Sequence, residues 1–121
     1  MQFTITSAFI AALVASPLAS ATVFLGLRQS RFGDQSQVAW TNGTPNICSG
    51  FSTIVNGNGS PCGIDFNVDG NNGPFTFQGC GGNGLSLERN HQFNSNCKFV
   101  KQTINCDDGA KVGVNGFWQC N

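Results

Sequence analysis

Six cysteines follow a short apolar leader, and these two features together limit the folds open to this chain. An exported protein folds in an oxidising compartment, where an even number of cysteines in a small domain is typical of a disulfide framework. We therefore expect a small fold held by three disulfides. The cysteines are Cys48, Cys62, Cys80, Cys97, Cys106 and Cys120.

The leader has the pattern of a cleaved signal peptide. Its apolar run, residues 8–15, is too short to cross a bilayer, which takes about 20 residues. Ser16-Pro17 then breaks the helix, and Ala19-Ser20-Ala21 matches a small-x-small cleavage site. We predict a signal peptide over residues 1–21, secretion into the extracellular space, and one disulfide-rich domain over residues 22–121. No second hydrophobic segment follows, so we expect no membrane span.

The charges of the chain cancel, with six Lys and Arg against six Asp and Glu. They are scattered, so no basic stripe is available to neutralise phosphates or an anionic membrane surface. We therefore expect neither nucleic acid nor membrane as a partner, and a monomer in solution.

The composition favours strands. The chain has 11 Phe, 2 Trp and 16 Gly, and residues with high helix propensity are sparse. Short apolar alternations recur between Gly- and Asn-rich turns, which predicts an all-β sandwich or barrel of short antiparallel strands. The alternations lie at residues 22–27, 38–40, 51–55, 64–68, 75–78 and 85–88, and residues 98–104, which include no turn residue, are predicted to form a single strand.

Two local predictions accompany this fold. Residues 28–47 are polar and weakly patterned, which indicates a long surface connection with Trp40 as the aromatic residue that we expect to be exposed. At the C-terminus, Asn115-Gly116 predicts a type I′ hairpin turn, because both positions of that turn require a positive φ. Val114 would then face Phe117.

The pairing of the cysteines is open apart from one exclusion. Six cysteines permit 15 pairings. A single strand at residues 98–104 would hold Cys97 and Cys106 about 30 Å apart, at about 3.3 Å per residue, so this pair is disfavoured.

Neither a metal site nor a cofactor site is predicted. The chain has no Cys-x-x-Cys pair and one histidine, which makes zinc improbable. The acidic stretches at residues 69–73 and 107–109 lack the ligand pattern of an EF-hand and are more simply turns. Two further motifs, Asn42-Gly43-Thr44 and Asn58-Gly59-Ser60, satisfy the N-glycosylation pattern.

The densest polar constellation is Glu88, Arg89 and His91. A carboxylate, a guanidinium and an imidazole are the groups that ribonuclease-like phosphoryl chemistry uses as acid, base and anion clamp. In a continuous strand Glu88 and His91 would point to opposite faces, so they can cooperate only if the chain turns between them. The alternative interpretation, which we favour, is a solvated strand end with no catalytic role.

The whole chain resembles the small secreted cysteine-rich proteins of filamentous fungi. The likeness consists of the leader at residues 1–21, the even number of cysteines, the Gly- and Asn-rich turns and the mature length. It implies an effector or elicitor with a role in virulence, which acts in the extracellular space by binding a host protein or glycan. Two alternatives stay open: a ribonuclease-like hydrolase that uses Glu88, Arg89 and His91, and a cell-wall carbohydrate-binding module that uses a coplanar row of exposed aromatic residues.

Overall fold

Seven antiparallel strands form one curled sheet in the computed structural model, which describes residues 22–42, 47–70, 73–82, 84–106 and 112–121. The order across the sheet is β3-β2-β1-β7-β6-β5-β4. The all-β prediction is therefore confirmed, and the predicted signal peptide at residues 1–21 lies outside the described residues. The elements are β1 (Val23–Gln29), β2 (Gln35–Thr41), the single helical turn α1 (Ile47–Gly50), β3 (Ser52–Asn56), β4 (Phe75–Gln78), β5 (Ser86–Arg89), β6 (Gln92–Asn105) and β7 (Gly113–Cys120).

The sheet consists of two meanders joined by the last strand. Strands β1 to β3 follow one another at one edge, and β4 to β6 follow one another at the other. Strand β7 lies between β1 and β6 and pairs with both. Strand β6 pairs with β5 as far as Asn96 and with β7 from Cys97 onwards, so this 14-residue strand carries the chain from one half of the sheet to the other.

The main core lies inside the curl. Val23 and Leu25 of β1 pack in one buried cluster with Phe77 of β4 and Leu87 of β5, although these strands belong to opposite halves of the sheet. Phe66, from the connection between β3 and β4, joins the cluster and exchanges two backbone hydrogen bonds with Phe75. The alternation at residues 64–68 thus forms an isolated bridge beside β4 rather than a further strand.

Trp40 is the centre of a second core on the outer face of the sheet. Its ring stacks on Phe24 and meets Phe51 and Phe117 edge-on, at centroid distances of 5.5, 5.3 and 5.5 Å. The prediction that Trp40 is exposed is wrong, because the side chain is 2% accessible. The prediction of a long surface connection at residues 28–47 is also wrong, because this segment contains β2, in which Ser36 is buried and Gln35 and Gln37 are half-buried.

The prediction of a hairpin turn at Asn115-Gly116 is also wrong. Both residues lie inside β7, which runs unbroken from Gly113 to Cys120. Gly116 has a positive φ of 80° and lies in a bulged part of β7, where the pairing register with β1 and with β6 shifts. Pairing on both sides of a central strand outweighs the local preference of Asn-Gly for a turn.

A two-residue turn of the predicted kind occurs elsewhere, at Asn90-His91. Both residues have positive φ, 54° and 63°, and they connect β5 to β6 with Arg89 opposite Gln92. Two successive positive φ values at the centre of a hairpin are the signature of a type I′ turn.

Three disulfides join the six cysteines, as the disulfide framework predicted: Cys48–Cys106, Cys62–Cys80 and Cys97–Cys120. The last pair lies directly opposite on β6 and β7, with 4.0 Å between the α-carbons. The disfavoured pair, Cys97 with Cys106, is not formed. Three disulfides are consistent with an extracellular protein.

Among the described residues, no helix has the length and apolar character needed to cross a membrane.

Candidate binding groove

The polar constellation at the β5–β6 hairpin does not come together as one site. Glu88 and Arg89 are consecutive in β5 and therefore point to opposite faces of the sheet. The Glu88 carboxylate accepts a hydrogen bond from Nε2 of Gln78 at 3.4 Å. The Arg89 guanidinium lies 5.9 Å from the centre of the Phe75 ring.

His91 has a different partner from the one that the sequence suggested. Its Nε2 lies 3.3 Å from Oδ2 of Asp65, and the other oxygen of that carboxylate accepts a hydrogen bond from the Thr76 hydroxyl at 2.8 Å. Both members of the pair are well exposed, His91 at 63% and Asp65 at 50%. The turn at Asn90-His91 therefore brings the imidazole to the loop that precedes β4. The contact of His91 with Asp65 links the end of the β5–β6 hairpin to that loop.

The acidic stretches show no cation site among the described residues, where no group of three His, Cys, Asp or Glu side chains is placed to hold a metal. Asp69 accepts a hydrogen bond from the Thr41 hydroxyl, which fastens the β3–β4 connection to the end of β2. Residues 71–72 and 107–111 lie outside the described residues.

Of the two sequons, the second lies wholly within the described residues. Asn58 and Ser60 are exposed in the loop after β3, and Asn42 is exposed at the end of β2. Residues 43–46, with the rest of the first sequon, lie outside the described residues. Glycosylation of Asn42 and Asn58 stays a prediction.

A groove of about 780 Å³ opens beside the main core. Its floor is formed by β1 and β7, with Leu25 and Trp118 opposite each other in the register. Its volume lies within the range of about 300–1,000 Å³ that is typical of small-molecule sites.

The Phe99 ring forms one wall of the groove, beside the Trp118 ring of the floor. Phe99 of β6 lies opposite Trp118 of β7, with their ring centres 5.4 Å apart and their planes at 69°. The Phe99 ring also covers Gly116, where an added Cβ would lie 2.5 Å from Cζ of the ring. Covering a strand glycine in this way leaves the other side of Phe99 in solvent, and the residue is 52% exposed.

The opposite wall is the glycine-rich loop at residues 79–84, of which residue 83 lies outside the description. Gly79 has a φ of 87°, and a Cβ there would lie on the carbonyl oxygen of Gly84, so only glycine fits. Cys80 anchors this loop to Cys62. Because these glycines have no side chains, the loop presents backbone and leaves the space beside Trp118 unfilled.

The polar groups of the groove are amides. Gln37 of β2 donates from Nε2 to the carbonyl of Gly59 at 3.1 Å, and this bond ties the Asn58 loop to the rim. Asn115 of β7 accepts from the Thr103 hydroxyl at 3.0 Å. No Asp, Glu, Lys, Arg or His occurs among the described lining residues.

The groove was not predicted from the sequence. Its residues come from β1, β2, β6, β7 and two connecting segments, and the non-local pairing of β1 with β7 brings the two halves of the sheet together. The one available signal was the glycine run at residues 79–84, which carries too few side chains to fill the space beside a core.

Comparison of the chain with protein-family models, with curated proteins and with solved structures finds no match.

Proposed function

We propose that this chain is a secreted interaction protein of the fungal effector or elicitor class, which acts in the extracellular space by binding a host molecule in its groove. The observation that carries the proposal is the groove: an open, aromatic depression whose described lining has no ionisable side chain. The three disulfides and the exposed Asn58 sequon support an extracellular site of action and a glycoprotein.

The chemistry of the groove favours binding over catalysis. Acid–base catalysis needs a titratable group within reach of the reacting atoms, and covalent catalysis needs an activated nucleophile. The polar side chains of the described lining are amides, and its cysteines are in disulfides. Aromatic rings beside oriented amides are the groups that give a binding site its contact area and its specificity.

The first test is secretion and the response of a host. We expect yeast that expresses the full-length chain to release it into the medium with Thr22 at its N-terminus, measured by N-terminal sequencing. The purified protein should cause cell death when infiltrated into plant leaf tissue, whereas the protein reduced and alkylated at its disulfides should not. Retention of the chain inside the cells, or an undiminished response to the reduced protein, would contradict the proposal.

The groove itself is tested with matched phenylalanine variants. Phe99→Ser removes an exposed ring from the groove, whereas Phe32→Ser and Phe93→Ser each remove a ring that is 66% exposed outside it. We expect the first variant to lose the leaf response and the two controls to keep it. A response that is equal in all three would place the active surface elsewhere.

The pair of His91 with Asp65 gives the hydrolase alternative one specific observation, because a carboxylate beside an imidazole can orient a general base. The same preparations should therefore be assayed for hydrolysis of RNA. If the proposal is right, neither the wild type nor His91→Ala cleaves RNA above the buffer control. Cleavage that is lost in His91→Ala would establish the alternative.

A further inference from the structure

The lining of the groove combines aromatic rings with side-chain amides. Two aromatic rings, Phe99 and Trp118, supply apolar surface, and Gln37 and Asn115 supply amides. The described lining adds no charge. Resting on the proposed function, we propose that the ligand of the groove is a neutral oligosaccharide, held as a single chain segment.

The first reason is charge. A ligand with a carboxylate, a phosphate or an ammonium group would lose water in this groove without meeting an opposite charge, and an unpaired charge is costly to bury. A neutral ligand meets no such penalty. The scattered charges elsewhere on the chain offer no field that would draw a charged ligand to this face.

The second reason is the orientation of the amides. Gln37 uses its Nε2 on the Gly59 carbonyl, and Asn115 uses its Oδ1 on the Thr103 hydroxyl. Among the described residues, no hydrogen bond uses the remaining groups, Oε1 of Gln37 and Nδ2 of Asn115. These two lining amides therefore keep one acceptor and one donor outside the bonds that orient them, and a sugar hydroxyl can serve both because it donates and accepts.

The third reason is the place of the groove in the sheet. A peptide strand binds to an open sheet edge, where it continues the ladder of backbone hydrogen bonds. This groove lies on the faces of β1 and β7, which are paired on both sides. The available hydrogen-bonding groups are separate side-chain amides and loop backbone, which suit separate hydroxyls better than a peptide ladder.

The ring geometry limits the form of the saccharide. A module that binds a solid polysaccharide surface needs a coplanar row of aromatic rings, and the planes of Phe99 and Trp118 meet at 69°. Two inclined rings form a wall and a floor, which fit a single chain segment. We therefore expect soluble oligomers to bind, and insoluble chitin or glucan to retain little protein.

The experiment is titration calorimetry on the yeast-secreted protein after removal of any N-linked glycan. The neutral ligands are hexamers of N-acetylglucosamine and of β-1,3-linked glucose; the charged controls are hexamers of glucosamine and of galacturonic acid. We expect at least one neutral hexamer to bind and to change the tryptophan fluorescence, with both charged hexamers much weaker. Phe99→Ser should weaken binding by about tenfold or more, because truncating a central aromatic side chain commonly costs that much.

The controls separate this proposal from the function on which it rests. Phe93→Ser removes a ring that is 66% exposed outside the groove, against 52% for Phe99, and should bind as the wild type does. Asn115→Ala is a second groove variant that keeps both rings and should also weaken binding. The ligand class is wrong if no neutral hexamer binds, if charged hexamers bind equally well, or if both groove variants bind normally. If Phe99→Ser loses the leaf response and no saccharide binds, the interaction function stands and the saccharide is rejected.

Discussion

The two tryptophans of this protein lie on opposite faces of the same sheet and have different surroundings. Trp40 is enclosed by Phe24, Phe51 and Phe117. Trp118 is half-buried, with Phe99 on one side and the open groove on the other. The difference comes from the segments that cross each face. On the outer face, Phe51 follows α1 and covers the indole; on the inner face, the loop at residues 79–84 brings mostly glycine.

The largest expected effect is the loss of the enclosed indole. Trp40→Ala should lower the free energy of unfolding by about 3–5 kcal/mol, because it leaves a cavity that the surrounding rings cannot fill. Trp118→Ala should cost clearly less, since its ring already borders solvent. Urea denaturation followed by circular dichroism measures both, and equal losses would show that the two faces do not differ in packing.

The next largest effect on stability is expected from two disulfides, one at the helical turn α1 on the outer face and one at the glycine-rich loop on the inner face. Cys48–Cys106 closes 58 residues and fastens α1 to the end of β6, whereas Cys62–Cys80 closes 18 and fastens the glycine loop. Loop-closure entropy gives up to about 4 kcal/mol for the first and about 3 kcal/mol for the second. We therefore expect Cys48→Ala/Cys106→Ala to be the less stable double variant in thermal unfolding. The reverse order would mean that native packing, and not the unfolded chain, decides the contribution of each bond.

A smaller effect is expected from filling glycines on the two sides. An added Cβ at Gly26 would lie 2.6 Å from Cγ1 of Val114 and 3.2 Å from the Trp40 ring, whereas at Gly84 it would meet nothing within 4 Å. Gly26→Ala should cost about 1–3 kcal/mol through overpacking, and Gly84→Ala should change stability by less than about 0.5 kcal/mol. Denaturation midpoints of the two variants compare the faces directly. A neutral Gly26→Ala would show that the Trp40 cluster has room to move.

A smaller effect than that of Gly26→Ala is expected from the loss of the Phe99 ring. Its ring is half-exposed, so Phe99→Ala should lower stability by no more than about 1 kcal/mol, mostly through the lost cover over Gly116. Melting temperatures of Phe99→Ala and Phe93→Ala should then be close to each other. A collapse of the first variant alone would make Phe99 a structural residue and would remove it as a probe of binding.

The sequence predicted local features well where the pattern was strong. The alternation of apolar residues located β1, β3, β4 and β5, and the run without turn residues at 98–104 lies within β6. The prediction from sequence failed at Asn115-Gly116. The dipeptide has a local preference for a turn, but its sequence does not show that the strand around it is paired on both sides. The prediction failed at Trp40, because the first half of β2 is polar although Ser36 is buried and Gln35 and Gln37 are half-buried, and these residues give no apolar signal for a strand.

The residues of the candidate site could not be predicted from local sequence patterns. Glu88, Arg89 and His91 are close in sequence, yet a strand sends the first two to opposite faces and a turn sends the third to Asp65. Phe99 and Gln37 are 62 positions apart and line the same groove. Closeness in the sequence therefore predicted the wrong set of site residues, because the pairing of distant strands determines which side chains come together.

The central place of β7 sets the order in which this protein can fold during synthesis. The strands β1 to β3 and β4 to β6 form two local meanders, and β7 is the strand that lies between them, with Val23 opposite Cys120. Such long-range pairing closes slowly. The sheet, the inner core and the Cys97–Cys120 bond therefore cannot be completed until β7 has left the ribosome, and a chain without β7 would retain two three-stranded meanders with no strand between them.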